Sequence, residues 1–119
     1  MNMETERIFD SPKTQSGYRV LVDSSWPKGL SEDEAHVDLW SKDIAPDNGL
    51  RTWFDHEPAK WNEFKRRYFR ELDAKQDLLA QMIREAKSRP IVLLHGADDT
   101  EHNEAVALKE YCSCLLNCP

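Results

Sequence analysis

The chain has 119 residues, 39% of them apolar and 32% charged, with a formal net charge of −6. That length suits one domain, residues 1–119, with a core large enough to fold without metals or disulfides. The acidic balance disfavours nucleic acid, whose binding proteins neutralise phosphates with basic groups. No apolar run approaches the roughly 20 residues that cross a bilayer.

Four Trp, four Phe and three Tyr argue against disorder. The opening, MNMETERIFD, lacks the basic-then-apolar pattern of a secretory leader. The expected setting is therefore cytoplasmic, with no membrane partner.

In chain order, residues 4–9 alternate enough for a short edge strand. A turn-rich loop follows over 10–17. Residues 18–23, YRVLVD, are β-branched and apolar and predict a strand that ends at Asp23. Ser31 to Glu34 has capping-box spacing and predicts a short helix. Residues 37–44 read weakly as a strand stopped before Pro46, and Asp47 is placed to cap a helix carrying Leu50, Trp53 and Phe54.

Pro58 opens a helix with Trp61, Phe64, Tyr68 and Leu72 on one face. Leu78, Leu79, Met82, Ile83 and Ala86 mark a further helical stretch, continuous with the first or separate from it. After Pro90, Ile91-Val92-Leu93-Leu94-His95 is nearly all apolar, as a strand covered on both faces requires. Thr100 is placed to open a last helix through Leu115. Strands separated by helices predict an α/β fold, a small mostly parallel sheet with helices on both faces.

The three cysteines, Cys112, Cys114 and Cys118, all lie near the C-terminus. An odd number outside a secreted setting is a poor disulfide framework, so free thiols are expected. On a helix Cys112 and Cys114 point apart.

The segments YRVLVDSSWPKG at 18–29, LWSKDIAP at 39–46, FKRRYFREL at 64–72 and IVLLHGADDTEHNEA at 91–105 resemble the YeaO-like proteins of the domain-of-unknown-function 488 family. The resemblance runs in order along nearly the whole chain. It implies a small α/β domain and no particular activity. Such proteins usually have Asp-Arg-Leu-Trp-Pro-Arg-Gly where this chain has Ser24, Ser25 and Lys28 at the arginine, leucine and second arginine. They also tend to carry lysine at the place of Asp98 and tyrosine or a similar residue at that of His95. Trp26-Pro27, Arg67-Tyr68, Glu71 and His102-Asn103 match.

In parallel sheets, ligands bind beyond the C-terminal ends of the strands. Two such ends are visible, one at Asp23-Ser24-Ser25-Trp26 and one running from His95 to Thr100. Were they neighbours, Asp23, His95 and His102 would form a carboxylate–imidazole group suited to acid–base catalysis. The bland alternatives are that Asp23 caps a turn and His95 fills the sheet edge. Ser24, Ser25, Trp26, Lys28, Arg67, Tyr68, Asp98 and Asn103 are candidate ligand contacts.

Arg67 belongs to a basic run, Lys65-Arg66-Arg67 with Arg70, which reads equally as a solvated helix face or as a partner of Glu71. Tyr68 also fits the core, and Asn103 a loop brace. Ser24 and Asp98 both remove positive charge, which predicts altered or weakened anion binding. His95, Asp98, Asp99 and His102 have metal-ligand chemistry but match no metal motif, so no metal is assigned. No Gly-rich phosphate loop, nucleophile elbow or paired metal-cysteine motif appears, so no cofactor is implied. The expectation is a small protein that binds, or an enzyme that acts on, a small polar molecule. The alternative is a non-catalytic interaction module.

Overall fold

A computed structural model describes residues 3–10 and 17–117. Four strands, β1 (Met3–Arg7), β2 (Tyr18–Leu21), β3 (Leu39–Trp40) and β4 (Ile91–His95), form one sheet in the order β1-β4-β2-β3. Every pairing is parallel, with Thr5 and Val20 both opposite Leu93 and Val20 also opposite Leu39. Strand β4 therefore sits between two neighbours, and all five of its residues are buried. Its uninterrupted apolar run has this cause: both faces are covered, so no position needs to meet water. Strand β1 is an edge, as its mixed alternation predicts.

Among the described residues α1 (Glu32–Ala35) joins β2 to β3, α2 (Asn48–Phe54), α3 (Trp61–Asp73) and α4 (Gln76–Ala86) lie between β3 and β4, and α5 (Glu104–Asn117) follows β4. The cover is uneven. Val20, Val22, Ile91 and Leu93 pack with Leu50 and Phe54 of α2, Phe64, Tyr68 and Leu72 of α3, Leu79 and Met82 of α4, and Leu108 of α5. The opposite face, Leu21, Val92 and Leu94, meets Ala35 of the single-turn α1 and the connecting residues Trp26, Leu30 and Val37. Each buried aliphatic side chain contributes about 1.5–3 kcal/mol, so the four-helix face supplies most of the apolar stabilisation.

That second face also holds an ion pair. Arg19 is buried, donates to Glu6 Oε1 at 3.2 Å, and bonds the carbonyls of His36 at 3.0 Å and Ala35 at 3.2 Å. Its backbone N–H donates to Asp38 Oδ2 at 2.9 Å. The guanidinium thus fastens the α1 segment to the sheet.

Asp47 caps α2 through Gly49 N–H at 2.9 Å, as its position predicts. Pro58 opens a 3-10 turn, Pro58–Lys60, before α3. The chain breaks between α3 and α4 at Ala74-Lys75, so these are two helices. Two expectations need correction. The weak strand over 37–44 shrinks to Leu39–Trp40, because a 3-10 turn, Lys42–Ile44, turns Ile44 into the core. The last helix starts at Glu104 rather than Thr100. Asp99 Oδ1 accepts the N–H groups of Glu101 and His102, holding a separate turn, and Asn103 Oδ1 then accepts from Val106 N–H.

Among the described residues no helix is long and apolar enough to cross a membrane. Cys112 is a buried free thiol and Cys114 an exposed one; Cys118 lies outside the described residues.

Candidate functional site

Because β2 and β4 are parallel neighbours, their C-terminal ends lie side by side. Val22 N–H donates to the Leu94 carbonyl at 3.2 Å, and Gly96 N–H donates to Asp23 Oδ2 at 3.0 Å. Beyond them opens a crevice of about 630 Å³. Asp23 and Gly96 stand at its floor. Trp26 and Pro27, after β2, and Phe9, after β1, supply apolar wall. The β4 loop brings Ala97, Asp98 and Asp99; α5 adds Glu104.

The remaining lining comes from α2 and its end. Arg51 reaches over to Ser24, its Nη1 donating to Ser24 Oγ. His56 follows α2 through two residues with left-handed backbone, Asp55 at φ 47° and His56 itself at φ 55°. Asp55 is the left-handed C-cap at which α2 ends, and the turn it makes brings His56 to the crevice. Arg51, His56 and Glu104 also border a second hollow of about 250 Å³ against Phe54 and Phe64.

Burial pushes the Asp23 carboxyl above its ordinary pKa, while the Gly96 N–H and the nearby Arg51 and His56 pull it back. Burial likewise lowers the His95 imidazole, against a hydrogen bond with the Ala97 backbone. Asp99 is held below its ordinary value, first by Glu101 N–H and then by His102.

Asp23, Ser25, Trp26 and Asp98 of the expected residues line the crevice, and Ser24 adjoins it through Arg51. The two expected imidazoles do not. His95 is 1% exposed beneath the floor, its Nδ1 without a hydrogen-bond partner among the described residues. His102 turns its ring edge-on to Trp61, 5.3 Å between centroids, with Nδ1 3.0 Å from Asp99 Oδ2. Tyr68 is a core residue whose hydroxyl donates to the Ile44 carbonyl at 2.6 Å.

Arg67 donates to Glu63 at 2.8 Å and lies over the Trp53 ring, so its partner is Glu63 and not Glu71. Glu71 instead accepts from the Asp47 backbone N–H at 2.9 Å. Asn103 braces the loop, donating to the Asp99 carbonyl at 2.9 Å and capping α5. Lys28 is exposed and outside the lining. Among the described residues no three His, Cys, Asp or Glu side chains are grouped to hold a metal.

Sequence reasoning missed Phe9, Arg51, His56 and Glu104. The first sits on a turn at the edge of a loop, and no periodicity marks it. Arg51 and Glu104 become site residues only once α2 and α5 are known to end over the same strand tips. The Arg51 guanidinium reaches the Ser24 hydroxyl from α2, bringing a positive charge beside that position.

The family described as the inactive DUF488-N3 subclade matches residues 2–117. Uncharacterized protein YeaO of Escherichia coli is 32% identical over 115 residues, 97% of this chain and 100% of that protein. Uncharacterized protein Rv3073c of Mycobacterium tuberculosis and Uncharacterized protein Mb3100c of Mycobacterium bovis are each 42% identical over 66 residues, 56% of both chains. No solved structure matches.

Proposed function

The chain belongs to the domain-of-unknown-function 488 family, in the subclade described as inactive, and from that premise we propose that it is a small cytoplasmic protein that binds a small polar molecule in the crevice without transforming it. The observation that carries this reading is the concave site at the strand ends, where a desolvated Asp23 carboxyl meets a guanidinium, an imidazole and an aromatic wall. Concave sites with a few converging polar groups take small ligands. The absence of catalysis is supported by the two expected imidazoles lying outside the crevice lining and by the subclade's description. The cytoplasmic setting is supported by Cys112 and Cys114 being free thiols.

An interaction module would call for a broad apolar surface. Among the described residues Phe9 is the one exposed large hydrophobic side chain, and it lies in the crevice. The test is a thermal-shift screen of metabolites, nucleotides and metals. A ligand at a hundredfold its Kd stabilises by about 2.7 kcal/mol. The expected result is a selective stabiliser whose effect is weakened in Asp98→Asn. No stabiliser, or one indifferent to that substitution, defeats the reading; turnover of the ligand defeats its non-catalytic half.

A further inference from the structure

We propose that the ligand is a small organic cation, an ammonium or guanidinium carrying an apolar group, and that Arg7 occupies part of its place. The inference rests on the crevice being a ligand site and adds the chemistry of the occupant. Its basis is a cation already held by two crevice-lining residues. The Arg7 guanidinium lies over the Phe9 ring, 4.9 Å from its centroid, and donates through Nη2 to Asp98 Oδ1 at 2.7 Å. An aromatic face and a carboxylate set at these distances are the two elements that recognise an alkylammonium or guanidinium.

Arg7 is an imperfect occupant. Its Nε is buried without a hydrogen-bond partner among the described residues, and the Asp98 carboxylate it holds is almost fully exposed. Arg7 Nη1 also lies 3.6 Å from Asp10 Oδ1. Both pairs reach solvent and such pairs contribute little, so a diffusible cation displaces Arg7 from Asp98 at small cost while the Asp10 contact can persist. Phe9 remains 44% exposed although it bounds the crevice, which leaves apolar ring surface for a ligand to cover.

Charge favours the same class. Asp23, Asp98, Asp99 and Glu104 line the crevice against Arg51, with Arg7 held at Asp98. A cleft with that balance concentrates cations and repels anions. Arg51 is turned to Ser24, and its charge falls on Asp23, so it is not a free anion holder.

The test is a titration of the full chain with benzylammonium and with benzoate, probes of equal ring size and opposite charge, followed by the backbone amide shifts of Gly96 and Asp98. Benzylammonium should bind about two- to fivefold more tightly than benzoate, the span of one cation–aromatic contact at an exposed site. Asp98→Asn should weaken it. Arg7→Met, which keeps the aliphatic stem and removes the competing charge, should strengthen it by up to about fivefold, while Arg7→Lys should not. Benzoate binding as tightly as benzylammonium overturns the charge assignment and leaves the crevice a ligand site. Binding of neither probe overturns the cation assignment, while the ligand-site reading stands or falls on the thermal-shift screen. Unchanged or weaker binding to a folded Arg7→Met variant overturns the role of Arg7.

Discussion

Asp23 Oδ2 accepts a hydrogen bond from Gly96 N–H at 3.0 Å, joining two residues 73 positions apart at the ends of adjacent strands. A side chain at 96 would crowd this contact, since a Cβ there would stand 3.3 Å from Asp23 Oδ2. Glycine is thus needed for close approach, not for an unusual backbone angle.

The Asp23 contact has a pH signature. Burial raises the folded-state pKa above the ordinary 3.8, so between the two values the folded chain holds more protons than the unfolded one. Stability then falls as pH climbs through that window. Asn keeps the acceptor for Gly96 and never ionises. Asp23→Asn should therefore melt at or above the parent at pH 7, with the gap closing below pH 3.8. Asp99→Asn should behave oppositely. Asp99 is held low by Glu101 and His102, so its contribution is present at neutral pH and is lost as pH falls through the lowered value. Calorimetric melting across pH measures both. A loss of more than about 1 kcal/mol in Asp23→Asn at pH 7 would show that desolvation does not dominate.

Arg19 presents the reverse economy. Its buried guanidinium bonds Glu6 and two carbonyls, and removing it leaves all three groups in the interior. Arg19→Met should cost about 3–5 kcal/mol in urea unfolding. Arg19→Met combined with Glu6→Leu should recover part of that loss, because the buried carboxylate that Arg19 neutralises is gone as well. A single variant within about 1 kcal/mol of the parent would show that water reaches the pair.

The thiols should react unequally. Burial pushes Cys112 up to about 12, and its side chain is 1% exposed, whereas Cys114 is exposed on α5. The thiolate is the reactive form. In a Cys118→Ser background, a maleimide should label Cys114 in the native protein and Cys112 only after denaturant is added. Equal native labelling of the two would contradict the packing of α5.

The strands were legible because their causes are local. The run at 91–94 is apolar throughout, and only a doubly covered strand needs that. Asp47 and Pro58 announced helix starts through chemistry confined to one turn. The helix break at Ala74-Lys75 was not legible, since neither residue forbids helix and tertiary packing places the break. In the site, Asp23 and the β4 loop followed from strand ends. The direction of His95 and His102 did not. Asp99 draws His102 toward Trp61 by a contact between residues three apart, yet Trp61 itself arrives from a distant helix. Phe9 and His56 depend on where loops end, and no sequence period records that.

The uneven cover of the sheet carries a consequence for how such a protein can diversify. The crevice base lies at the ends of β2 and β4, locked from both sides, whereas Phe9 and Asp98 ride on connecting segments that neither core cluster includes. Selection can therefore exchange one recognition chemistry for another by editing two short stretches while the scaffold underneath stays as it is.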